Sequence, residues 1–271
     1  MLADYHVHTE FSDDSKYPLE EVIKDAVKLN IEDICITDHV DYGIKKDYDE
    51  IDVKNRFTNV NYPKYAEDIK KMREIYGSKI KIKMGLECGI QTHTVGKYEE
   101  LLKKYDFDFI IFSVHQVNDK EFWTQDFQRG KTQKEYNEAY YNEILEVVKI
   151  FKNYSVLGHL DLIIRYDKKG VYPFEKVKPI IEEILKIVIA DDKGIEMNTS
   201  YHRYGLNNTT PSIDILKLYK ELGGRIITIG SDSHQPSHLG FHIDEAKDIL
   251  KSIGFKEFCT YDKMIPSFHV L

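Results

Sequence analysis

The stretch Leu2-Ala3-Asp4-Tyr5-His6-Val7-His8 decides how this chain is read: it is a short apolar run that ends in two histidines one residue apart. In a strand, side chains alternate with period two, so His6 and His8 point to one side and Val7 to the other. Two imidazoles then converge on one spot. Five further short runs end in the same kind of residue: Ile34 to His39, Ile82 to Glu87, Phe109 to His115, Tyr154 to His159, and Ile226 to Asp232 and His234. One histidine at a strand end is ordinarily structural. Six strand ends carrying His, Asp or Glu require a common cause.

Between these runs the pattern turns helical. Pro18 opens a helix to Leu29, since the first turn has no acceptor for the missing N–H. Further helices are predicted over Tyr62–Tyr76, over 95–105, behind the capping box Thr132 to Glu135, over Phe174–Ala190, from Thr210-Pro211 onward and over Ile243–Ser252. Strands are predicted over 31–37, 80–86, 107–114 and 225–230, with short ones ending at His159 and at Asn198. Gly254 to Phe258 reads as a terminal strand or extended tail. Regular alternation predicts a parallel sheet covered by helices, and ligands placed after strands point to a barrel whose site lies at the C-terminal face. About seven units can be counted in one domain spanning residues 1–271. Residues 40–60 and 118–130, the latter holding the only Trp, Trp123, are candidate lids; the aromatics of the second equally suit an anchored rim loop.

The net charge of −8 argues against a general nucleic-acid surface. Only six of the 38 basic residues are Arg, so an Arg beside a histidine-rich loop stands out as an anion clamp. Cys35, Cys88 and Cys259 are scattered and odd in number, which fits a reducing, cytoplasmic setting rather than a disulfide framework. The N-terminus shows no export signal, and neither a membrane span nor a membrane partner is expected.

His6, His8, His39, Glu87, His115, His159, Asp232 and His234 form a mixed nitrogen and oxygen set suited to divalent Zn, Mn or Fe. Eight such groups exceed one tetrahedral site, so two or three ions sharing a carboxylate are expected. His93, His202, His238, His242 and His269 read individually as structural.

The runs His6-Val-His8-Thr9, Thr37-Asp38-His39, Gly85-Leu86-Glu87, Ser113-Val114-His115, Gly158-His159 and Ser231-Asp232-Ser233-His234 resemble, in order, the motifs of the PHP (polymerase and histidinol phosphatase) family. The segments Gly158 to Tyr166 and Asn198 to Arg203 are similar to substrate loops of its histidinol-phosphatase branch. The resemblance implies a distorted (β/α)7 TIM-like barrel with three divalent metal ions. His6, His8, Glu87 and Asp232 would hold the first. Glu87 would bridge to a second held by His115 and His159, and His39 and His234 would belong to a third. Where many relatives complete that third site with His, this chain has Asp14, with Asp13 beside it.

The implied reaction is hydrolysis of L-histidinol phosphate to L-histidinol and phosphate in histidine biosynthesis, with Glu87, Asp232 and His234 as catalytic residues. Arg165 and Arg203 are the expected phosphate ligands, because a guanidinium can donate two parallel hydrogen bonds to phosphate. The leaving-group proton is left to His234, Asp161 or water, and Asp161 reads more simply as an acceptor that fixes His159 or Arg165. The alternative is a phosphoesterase of the same family acting on another small phosphate ester or a nucleotide.

Overall fold

A computed structural model of the chain describes residues 1–48 and 58–271. Seven strands form the barrel wall: β1 (Ala3–Val7), β2 (Asp33–Ile36), β4 (Lys81–Gly89), β5 (Phe109–Ser113), β8 (Val156–Leu157), β9 (Gly194–Asn198) and β10 (Ile227–Gly230). They are hydrogen-bonded in that order, every pair parallel. The ring comes nearly to closure through one parallel bridge, Val7 to Ser233, where His8 N donates to Ser233 O and Ser233 N donates to His6 O. This is the expected seven-strand α/β barrel.

The connections carry the helices. α1 (Leu19–Lys28) buries Leu19, Val22, Ile23 and Ala26. α2 (Tyr62–Tyr76) and α3 (Val95–Leu102) flank β4, and α4 (Gln133–Ile150) starts with the Thr132–Glu135 capping box. α5 (Phe174–Ala190) buries Val177, Ile181, Ile184, Leu185 and Val188. α6 (Ile213–Glu221) begins after Ser212 rather than at Thr210-Pro211, and α7 (Ile243–Ile253) follows β10. The spacing of 3.6 residues per turn puts each apolar stripe against the barrel.

Three local features depart from the sequence reading. A two-residue strand, β3 (His39–Val40), pairs with Glu87 and Cys88, so β4 runs on through Glu87 instead of ending before it. A small hairpin, β6 (Gln116–Val117) and β7 (Lys120–Glu121), opens the 118–130 segment. The tail is a second hairpin, β11 (Glu257–Asp262) and β12 (Ile265–Val270), that closes the barrel at the N-terminal ends of its strands. There Tyr5 Oη donates to Asp33 Oδ1 and accepts from Tyr261 N, while Lys263 N and Met264 N donate to Asp108. The candidate lid at 40–60 falls partly on residues 49–57, which lie outside the described residues.

Candidate metal centre

Each barrel strand delivers its polar residue to the same end. The two carboxylate oxygens of Glu87 divide the imidazoles between them. Oε2 faces His6 Nε2 at 3.0 Å, His8 Nε2 at 3.3 Å and His39 Nδ1 at 3.1 Å. Oε1 faces His115 Nε2 at 3.0 Å and His159 Nε2 at 2.7 Å, and also accepts from Ser113 Oγ. Asp232 Oδ1 lies 3.7 Å from His6 Nε2 and 3.6 Å from His8 Nε2. A third group forms at the rim, where Asp14 Oδ2 is 3.1 Å from His234 Nε2 and 3.5 Å from His39 Nε2.

The adjacent Asp13 is engaged elsewhere: its Oδ1 takes the Lys45 ammonium at 2.6 Å, and Lys45 also reaches Asp41 at 2.9 Å. Of the two acids left open by the sequence, Asp14 is the one brought to the histidines.

The opposite edges of the rings explain why these nitrogens point inward. His6 Nδ1 is 2.5 Å from Glu196, and His115 Nδ1 is 2.7 Å from Asp41. His8 Nδ1 meets Ser12 Oγ at 3.1 Å, which itself donates to Asp38. His234 Nδ1 donates to the carbonyl of Asp232 at 2.9 Å. With the proton held at Nδ1, the Nε2 lone pair is free to bind a cation. His6 Nε2, His8 Nε2 and Glu87 Oε2 are buried and make no hydrogen bond among the described residues, although both nitrogens lie within 3.3 Å of that oxygen. Lone pairs that crowd this closely without bonding aim at a common point, as ligands of a metal do. The donor set therefore fits divalent cations.

The electrostatics agree. Burial alone would raise the Glu87 carboxyl, yet the imidazoles of His6, His115, His39 and His159 hold it well below the usual carboxylate range. Burial likewise opposes ionisation of Asp232, and His6, His8 and Arg165 hold it low. Asp232 adopts a left-handed backbone, φ 56°, uncommon outside glycine. A Cβ at Gly230 would overlap His6 and Glu196, so glycine is needed there for β10 to approach β1.

The ligand groups open into a cavity of about 320 Å³, a size suited to a small molecule. Arg165 lines it with its side chain 3% exposed, donating to Asp232 Oδ2 and Ser200 Oγ and lying 4.5 Å from the Tyr204 ring centre. Arg203 is placed differently. It lies outside the cavity lining among the described residues, and its guanidinium donates to the carbonyls of Ser231 and Asp232, at 2.8 and 2.7 Å. Asp161 fixes neither His159 nor Arg165 by hydrogen bond; it accepts from Ser212 N, and burial pushes its carboxyl up to about 7. In the 118–130 segment Phe122 and Phe127 are buried anchors, while Trp123, 60% exposed, and Glu121 line the cavity.

Glu196, Asp41 and Ser12 escaped the sequence reading. Glu196 had a usable signal, being a carboxylate inside the strand Gly194-Ile-Glu-Met-Asn198 on the same face as Asn198. Asp41 and Ser12 lie in turns that carry no comparable signal.

A family model described as "PHP domain" matches residues 4–200. "Histidinol-phosphatase" of Lactococcus lactis is 33% identical over 267 residues, covering 96% of this chain and 94% of that protein. "Probable histidinol-phosphatase" of Clostridium acetobutylicum is 30% identical over 259 residues, covering 94% and 95%. A crystal structure of histidinol phosphate phosphatase from Lactococcus lactis, complexed with Zn, L-histidinol and phosphate, superposes with a TM-score of 0.86 at 32% identity, covering 98% of each chain.

Proposed function

The chain belongs to the PHP family, and from that premise we propose that it hydrolyses L-histidinol phosphate to L-histidinol and phosphate. The observation that carries this reading is the placement of a buried Arg165 in the cavity that also exposes the Glu87-centred ligand cluster. A relative covering nearly the whole chain, with zinc, L-histidinol and phosphate bound, supports the same substrate. The whole chain, residues 1–271, would act as one barrel domain in the cytoplasm, where its three buried free cysteines stay reduced. No helix among the described residues is long and apolar enough to cross a membrane. The partner is a small phosphate ester rather than a nucleic acid.

Three divalent ions would occupy the centre. His6, His8, Glu87 and Asp232 would hold the first, Glu87, His115 and His159 the second, and Asp14, His39 and His234 the third. Zn is the identity suggested by the relative, with Mn and Fe as alternatives compatible with the same donors. When bound, such ions supply Lewis-acid charge at the phosphoryl oxygens.

The protein's own groups do the positioning. Arg165 donates to the phosphate, held flat by Tyr204 and aimed by Ser200. Arg203 supports the site by gripping the Asp232 turn, and its expected phosphate contact would require it to leave those carbonyls. At His234, Nδ1 is committed to the Asp232 carbonyl and Nε2 faces the third site, so His234 would serve as a ligand there and would exchange a proton with the leaving alcohol only with that ion absent. Trp123 and Glu121 face the substrate's imidazole and amine. The test is steady-state hydrolysis of L-histidinol phosphate beside sugar phosphates and mononucleotides, with metal content measured on the same sample. A strong preference for histidinol phosphate is expected; comparable turnover of another ester would overturn the substrate assignment.

A further inference from the structure

Outside the cavity, His202, His242 and Glu245 form a second cluster, each offering a nitrogen or oxygen within 4.8 Å of the other two. His202 Nε2 lies 3.3 Å and His242 Nδ1 2.6 Å from one and the same atom, Glu245 Oε2. The three residues come from two elements. His202 ends the turn Thr199–His202 that follows β9, whereas His242 precedes α7 and Glu245 sits in its first turn. His242 is held at φ 54°, a left-handed conformation that is costly for a residue with a Cβ.

An ion pair accounts for His242 with Glu245, and a helix start accounts for a glutamate there. Neither accounts for His202. Its Nε2 is buried, faces the same carboxylate oxygen and makes no hydrogen bond among the described residues. Its ring stacks on His242 at 3.9 Å and 18°. The core centre shows the same arrangement, with His8 stacked on His39 at 4.2 Å and on His234 at 4.1 Å, their ring nitrogens turned to shared carboxylates. Two histidines and a carboxylate with one side open to water form a ligand set suited to zinc and its neighbours.

We propose that His202, His242 and Glu245 bind one divalent transition-metal ion of the zinc class, separate from the core centre. The ion ties the 199–202 turn to the start of α7, and with it Arg203 and Tyr204, which grip the Asp232 turn and Arg165. Side-chain exposures of 27%, 37% and 45% leave the ion partly hydrated, so it binds more weakly than the core ions and leaves first on chelation. The assignment does not depend on which ester the core hydrolyses.

The experiment is Zn²⁺ titration of the core-loaded enzyme by calorimetry, with bound metal counted by elemental analysis after gel filtration. Wild type is expected to take up one equivalent more than His242→Ala and Glu245→Gln, or to bind that equivalent at least tenfold more tightly. Glu245→Gln keeps the shape of the side chain at the helix start and guards against a folding failure in His242→Ala. His93→Ala, which removes an exposed histidine paired with Asp119, is expected to keep the extra equivalent. Equal stoichiometry and affinity in wild type, His242→Ala and Glu245→Gln overturns the proposal, as does an equal loss in His93→Ala.

Discussion

At the scale of single residues, the third metal group turns on a choice between neighbours. Asp13 and Asp14 are indistinguishable in the sequence, and what separates them is Lys45, 32 residues along the chain, whose ammonium takes Asp13. Contacts over that separation leave no trace in local pattern. Asp14→Ala should therefore lose about one metal equivalent while Asp13→Ala keeps the full complement, as elemental analysis of the purified variants can check. Arg165→Ala should retain its metals and lose roughly 10- to 100-fold in kcat/KM, the scale of one or two hydrogen bonds to a charged group. Unchanged steady-state constants would remove Arg165 from the phosphate site. The eight candidate ligand residues at the strand ends stood out in the sequence because each repeats one pattern, an apolar run that ends in His, Asp or Glu. Glu196 and Asp41, which orient His6 and His115, belong to no repeated pattern and needed the fold to become visible.

At the scale of elements, alternation of apolar and helical periods was enough to place the barrel strands and helices, while the closing hairpin was half missed. Two residues, Lys263 and Met264, join β11 to β12, both left-handed at φ 48° and 65°. A turn of this hand is usually announced by Asn-Gly or Asp-Gly, and Lys-Met carries neither residue. Lys263→Gly should relieve the left-handed strain and stabilise the protein by roughly 0.5 kcal/mol, since the gain outweighs the added freedom of glycine in the unfolded chain. A higher urea midpoint at unchanged slope would show it. Beneath the hairpin, burial raises the Asp33 carboxyl from 3.8 to about 6, with the Tyr5 hydroxyl opposing. The folded state thus keeps a proton that the unfolded chain releases. This contribution to stability is complete below pH 3.8 and is lost as pH rises through about 6. Asp33→Asn should abolish that loss, so its stability relative to wild type should rise between pH 4 and pH 7 by on the order of 2 kcal/mol. A parallel pH dependence in the two proteins would assign the titration elsewhere.

At the scale of the whole molecule, the proposed metal ligands and the shortest backbone ladder in the barrel coincide. Most neighbouring strands share ladders several residues long, such as Gly85–Gly89 against Phe109–Ser113. β1 meets the segment just past β10 through a single backbone bridge, Val7 to Ser233. His6 and His8 stand on one side of that seam, Asp232 and His234 on the other. Cations held between them would cross-link the first strand to the last, and they would also compensate buried carboxylates that face mainly imidazoles. Chelation should therefore lower the thermal midpoint, and it should do so unevenly. The amides of His8 and Ser233, which bridge the seam, should exchange with solvent much faster after metal removal, while that of Ile111 in the β4–β5 ladder should change little. Readdition of zinc or manganese should restore both the midpoint and the protection. If exchange quickens equally around the ring, the ions stabilise the barrel as a whole and the seam has no special dependence on them.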